Sequence, residues 1–295
     1  MSAGRRFLSH PISVLSLIVL VLLGAAALAA PLVEGWLGVD ANAVSLFNRF
    51  GPPSAENWLG TDELGRDVLV RLLYGGRVSL FVGIAAALAS AVIGTIVGLI
   101  AGFYGGRLDD FLMRLTDGVI ALPLLPLLIV LAAVDLGKLG LPAALAQSDQ
   151  VSLYRIIVIV SLAGWTTVAR LVRGAALSVR QREFVLAATA LGAGNARLML
   201  VHILPNVASP IVVATTLSIG NIILLESVLS FLGLGIQPPL PSWGNMLTNA
   251  QELIWSAPLL AIYPGLLIFV TVIAFNFVGD GLQDALDPRS GPQRR

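Results

Sequence analysis

The feature that most constrains this chain is a series of apolar runs, each close to the roughly 20 residues a helix needs to cross a bilayer core. They fall at about Pro11–Val33, Val78–Phe103, Phe111–Val134, Leu153–Leu171, Ile211–Leu232 and Pro258–Gly279. Within lipid a spanning segment must satisfy its own backbone hydrogen bonds, so runs of this length are expected to be helices. The expected fold is an all-α integral membrane domain with six transmembrane helices. Composition agrees: 12% of the 295 residues are charged and 57% hydrophobic, against roughly 25% charged in a soluble domain.

Several chemistries are excluded by composition. With no cysteine, disulfide frameworks, thiolate metal sites and thiol nucleophiles are absent. His10 and His202 are far apart and outside any metal-ligand spacing. A net charge of +1 gives no hint of a nucleic-acid partner. No nucleophile–base pair is evident, so no catalytic residue, cofactor site or metal site is expected on this chain. A phosphate-binding loop requires Gly, four residues, Gly-Lys and Ser or Thr. The only lysine, Lys138, is followed by Leu139, so that motif is missing.

Orientation follows from the placement of Arg and Lys. With a cytoplasmic N-terminus, the inside segments hold twice as many of these residues as the outside ones, and the stretch from Val228 to Trp255 has none. Both termini are therefore expected inside. The first run, preceded by Arg5 and Arg6, is similar to a secretory signal. It exceeds the usual 7–15-residue apolar core, and Pro31 follows the would-be cleavage site, so a retained span is expected. Between Glu34 and Arg77, charged Asp62, Glu63, Arg66, Asp67, Arg71 and Arg77 alternate with apolar residues at helical spacing. That pattern predicts a surface-lying amphipathic helix with snorkelling arginines.

Polar groups within the spans need an explanation, because a charge at the bilayer centre costs about 2.5–3.5 kcal/mol. Arg114 and Asp117 stand three apart at the start of the third span. They share a helix face on which they can pair, with gating as the other reading. Glu226, with Asn221 five residues before it, is expected to face the interior or a wet cavity, as pathway lining or as a structural pair. Pro123 and Pro126 predict a kink in the third span. Gly94, Gly98 and Gly102 form a flat face for either a neighbouring helix or a partner chain. One isolated Glu and no matched halves argue against a proton-coupled carrier, and no channel filter motif is present.

The loop between the fourth and fifth spans is the most informative stretch. Arg170, Arg173, Arg180 and Arg182 hold it on the cytoplasmic side. Glu183 to Leu191 reads as a short helix with Glu183 at the favourable N-terminal end and Gly192 supplying a left-handed stop. Phe184, Ala188 and Leu191 are expected on one face. Asn195 is a plausible cap for a second short helix, ended by Pro205. Such an element buries too little to be stable alone. Its apolar stripe, with small Ala187, Ala188 and Gly192, reads as a knob for a cytosolic partner. The other reading is a helix folded back on the chain's own spans.

Glu183 to Pro205 resembles the cytoplasmic loop of ATP-binding-cassette importer permeases. Ala187, Ala188, Gly192, Leu204 and Pro205 match that pattern in register, whereas Leu186 and His202 stand where it has Glu and Ile. Gly60-Thr61-Asp62-Glu63-Leu64-Gly65-Arg66-Asp67, Ser230 to Gly235, Pro241 to Met246 and Asp280 to Pro288 resemble further signatures of dipeptide, oligopeptide and nickel permeases of the C type. The resemblance implies a type I importer permease fold: residues 1–77 as tail, first span and external segment, 78–284 as a five-helix core with coupling loop 172–207, and 285–295 as a cytoplasmic tail. It also implies a bacterial inner-membrane location. The implied partners, besides membrane lipid, are a second permease, two ATPase subunits carrying ATP and Mg, and an extracytoplasmic substrate-binding protein. Di- or oligopeptides are the expected cargo, with nickel chelates or glutathione as alternatives and an ATP-independent carrier as the rival mechanism.

Overall fold

The computed structural model describes residues 3–134 and 150–286. Lys138, the tail beyond Leu286 and the last residues of the Asp280 to Pro288 motif lie outside them. The helices are α1 (Ala3–Leu8), α2 (Pro11–Leu28), α3 (Ala30–Leu37), α4 (Val68–Tyr104), α5 (Gly106–Ala121), α6 (Leu124–Ala132), α7 (Val151–Arg180), α8 (Glu183–Ala190), α9 (Ala208–Phe231) and α10 (Leu259–Leu286). Among the described residues, five helical stretches are long and apolar enough to cross a membrane, and six if α5 and α6 count as one broken span. The all-helical, six-span expectation therefore stands.

The third span is not one kinked rod. α5 and α6 meet at 86°. Pro123 lies at the junction with extended backbone, because its ring and missing N–H cannot continue the ladder of α5. Pro126 sits in the first turn of α6, where a missing N–H costs little.

The second span starts ten residues earlier than hydropathy suggests. α4 runs unbroken from Val68 to Tyr104, across the expected boundary at residues 77 and 78, so residues 68–77 belong to the long helix and not to a separate surface helix. Asp62, Arg66 and Asp67, among the charged residues that suggested one, lie in a folded loop before α4. Asp67 caps α4 by accepting from the Val70 N–H at 2.8 Å and also accepts from Asn57 Nδ2 at 2.9 Å. Asp62 accepts from the backbone N–H groups of Leu64 and Arg66 and from Arg66 Nε. Arg71 does not snorkel. It is buried, 3.5 Å from Asp62, and donates to the Ala41 carbonyl at 3.3 Å. Gly65 has φ +76°, and a Cβ there would lie 1.9 Å from the Ser45 carbonyl oxygen, so only glycine fits this turn.

The central packing is α4 on α7. A Cβ at Gly94, Gly98 or Gly102 would come within 2.5, 2.4 or 2.8 Å of the α7 backbone or of Ala176. The glycine face therefore serves close packing within the chain. α9 packs between α4 and α10, with Gly83 against Ile223 and Gly279 against Leu217. α2 and α1 close the bundle, Ser13 and Phe7 lying against Gly281. This connectivity brings α1, α8 and the end of α10 to one end of the bundle, and the loops 38–67 and 232–258 to the other.

Candidate functional site

At the α8 end, the short helix Glu183–Ala190 stands on a firm base. Val185 is buried among Leu99 and Phe103 of α4, Val172 and Ala176 of α7, and Leu198 and Ile203. Its other sides carry Phe184 (45% exposed), Leu186 (58%) and Leu191 (88%). The three residues expected to share one face are split: Ala188 packs inward against the buried cluster, while Phe184 and Leu191 face out. Ala187 is exposed, as is Glu183 at the helix start.

Gly192 ends α8 with φ +83°. Its N–H donates to the Thr189 carbonyl at 2.9 Å, and the Ala193 N–H donates to Ala188 at 3.0 Å. These two bonds are a Schellman closure, which requires the left-handed residue that glycine supplies. The next segment differs from expectation. Gly194, not Asn195, is the N-cap of a single helical turn at Asn195–Arg197. The chain then passes through a widened π turn at Leu198–Ile203 and a 3-10 turn containing Leu204 and Pro205, and continues into α9. Pro205 removes one N–H donor, and the wider turn absorbs that loss without ending the helix.

Two ion pairs tie α5 to α7 near this end. Asp109 receives Arg173 through both carboxylate oxygens, at 2.5 and 2.6 Å. Asp117 pairs with Arg170, not with Arg114 as the spacing suggested. Both Arg114 and Asp117 are exposed. The reach across from α7 wins because the Arg170 side chain meets the carboxylate directly, and that neighbour is set by tertiary packing.

Midway along the bundle, the α5–α6 break opens a cleft of about 280 Å³ between α5, α6, α7 and α9, lined in part by Thr166, Thr167, Ser218 and Asn221. Asn221 is exposed. Sequence reading missed Thr167 and Ser218. The signal was there in Ser218 and Asn221, three apart on one face of α9.

Glu226 is fully buried at the opposite end. Ser230 Oγ donates to its Oε1 at 2.7 Å, and Ser79 Oγ of α4 donates to its Oε2 at 3.1 Å. The same hydroxyls accept from the backbone N–H groups of Ile236 and Trp243, at 2.9 and 3.2 Å. The Glu226 side chain thus links α4, α9 and the loop after α9 through two serine hydroxyls. Trp243 is pinned further by its Nε1, which donates to the Leu72 carbonyl at 2.9 Å. No group of metal-ligating side chains occurs among the described residues.

The sequence profile of the family described as "Binding-protein-dependent transport system inner membrane component" matches residues 94–291. The chain belongs to this family. It is 40% identical to the oligopeptide transport system permease protein OppC of Bacillus subtilis (strain 168), over 97% of this chain and 88% of that one. The nickel transport system permease protein NikC of Escherichia coli (strain K12) is 40% identical over 96% of each chain. The dipeptide permease DppC of Alkalihalophilus pseudofirmus is 38% identical over 97% of this chain and 89% of that one. The fold matches a chain of the MetNI methionine ABC transporter in an inward-facing conformation, with TM-score 0.58 and 18% identity, covering 74% of this chain and 96% of that one. This permease is accordingly a multi-pass inner-membrane subunit of the ABC importer class, with the type I importer fold.

Proposed function

We propose that this permease imports di- or oligopeptides as one half of a permease pair, powered by two separate ATPase subunits and supplied by an extracytoplasmic binding protein. The observation that carries the reading is α8: an exposed apolar helix anchored through Val185 on α4 and α7. Isolated in water it would be marginal, and its outward Phe184, Leu186 and Leu191 offer an ATPase an apolar grip. The sequence lacks a phosphate-binding motif, which supports assigning ATP and Mg to those partner subunits. In this account the α8 end is cytoplasmic, and both ends of the described chain lie on that side.

ATP-driven closure of the ATPases pushes on α8. Val185, Leu198 and Ile203 pass the displacement to α4 and α7, and the pathway switches between inward and outward access. Leu204 and Pro205 lie at the seam where the loop joins α9, so that helix moves with it. Peptide cargo rests on the likeness to permeases named for oligopeptides and dipeptides. The equal likeness to a nickel permease favours a nickel chelate as the second reading.

The test is uptake of a labelled dipeptide by the four-subunit complex in proteoliposomes. Uptake should require both ATP and the loaded binding protein. Uptake by this chain alone, driven by an ion gradient, would show an ATP-independent carrier.

A further inference from the structure

The cleft at the α5–α6 break has two polar side chains without a side-chain hydrogen bond among the described residues. Asn221 lies about 20 Å from one end of α9 and about 15 Å from the other, at 1.5 Å per residue. Thr167 is similarly central in α7. Ser218 Oγ is already spent on the Ala214 carbonyl at 2.7 Å. The Asn221 carboxamide and the Thr167 hydroxyl, both exposed, make no side-chain hydrogen bond among the described residues. Hydrocarbon cannot satisfy such groups, so this face of the bundle meets water, protein or cargo. The break adds to the polarity, since the end of α5 and the start of α6 both line the cleft and helix ends leave backbone groups unpaired.

The chemistry of the lining selects among ligands. Among the described residues no charged side chain and no His or Cys borders the cleft. It offers nickel no imidazole, thiolate or carboxylate and a charged terminus no counter-ion. An amide needs one acceptor and one donor, and a carboxamide beside a hydroxyl supplies both. The surrounding Leu124, Leu128, Val160 and Ile222 suit apolar side chains. We propose that this cleft is a transit subsite for the uncharged backbone of a peptide, with Asn221 and Thr167 as its hydrogen-bonding groups. The proposal rests on the peptide-import reading and names the groups on which that cargo would pause.

Because the chain has no cysteine, the test is direct. Asn221→Cys and Thr167→Cys are introduced singly into the assembled complex, and labelling of this chain by a charged, water-soluble maleimide is followed during ATP turnover. Two positions on separate helices guard against one variant failing to fold. Both thiols should react, and trialanine at a concentration that saturates uptake should slow the labelling of both. Absence of labelling at both positions, with lipid or the second permease filling the cleft, overturns the subsite. So does labelling that trialanine leaves unchanged while uptake proceeds, and in that case peptide import itself stands. If the complex with the unsubstituted chain takes up no peptide, the import reading fails and the subsite falls with it.

Discussion

Ser79 of α4 joins Glu226 of α9 to the backbone of Trp243: its hydroxyl donates to the carboxylate and accepts from the Trp243 N–H. Ser230 does the same between Glu226 and Ile236. One buried carboxylate thus fixes two points of the loop between α9 and α10. In a low-dielectric interior such a network rigidifies the structure only while every member is paired.

The two arms are separable. Ser79→Ala should speed hydrogen exchange at the Trp243 amide, and Ser230→Ala at the Ile236 amide, each with little effect on the other. A hydrogen bond worth about 1 kcal/mol net corresponds to roughly a fivefold change. Exchange mass spectrometry with fragment-level resolution checks this. Equal loosening of both amides by either variant would show that the carboxylate acts on the loop as a whole.

The packing predicts opposite outcomes for two helical glycines, one in the α4–α7 contact and one outside it. At Gly98 a Cβ would lie 2.4 Å from the Ala169 carbonyl oxygen. Backbone faces backbone there and neither can yield, so Gly98→Ala should destabilise by about 1–3 kcal/mol. At Gly118, inside α5, nothing lies within 4 Å of a Cβ. Gly118→Ala should be neutral or stabilising by up to about 1 kcal/mol. Thermal unfolding of the purified permease in detergent distinguishes them by the sign of the shift in melting temperature.

Gly192 tests the turn that presents Leu191. A Cβ there meets no atom within 4 Å, so a substitution acts through backbone strain alone. Gly192→Val, β-branched at φ +83°, should abolish uptake while the amount of permease in the membrane stays unchanged. Gly192→Asn should keep most of the uptake, because Asn tolerates the left-handed region. Equal loss in both variants, measured by uptake and by immunoblot of membranes, would point away from the turn.

Much of this architecture was legible in the chain because its signals are local. Runs of bilayer length marked the spans, Gly192 marked the end of α8, and Gly94, Gly98 and Gly102 marked a close-packed face. What sequence could not supply were neighbours set by tertiary packing. The spacing of Arg114 and Asp117 suggested a pair within one helix, but Arg170 reaches Asp117 from α7. The stripe from Leu64 to Leu73 resembled a surface helix, yet Asp62 turns back on Leu64 and Arg66 in a tight loop, and Asp67 caps α4 while accepting from Asn57 across that loop. Pro205 carried the signal of a helix end, and the π turn that absorbs it leaves no trace in composition. Glu226 was recognised as buried, but its serine arms reach two separate segments of chain.

The account turns on α8 being the place where ATPase closure enters the permease, and Leu191 is its most exposed apolar residue. In the assembled complex, Leu191→Cys and, at the opposite end of the bundle, Trp255→Cys supply single thiols in a chain that has none. Treatment with a short bifunctional thiol-to-amine cross-linker should join Leu191→Cys to an ATPase subunit, more in the ATP-bound state than in the nucleotide-free state, and Trp255→Cys to no ATPase at all. Failure of Leu191→Cys to cross-link in either state, or cross-linking of Trp255→Cys to the ATPase, would contradict it.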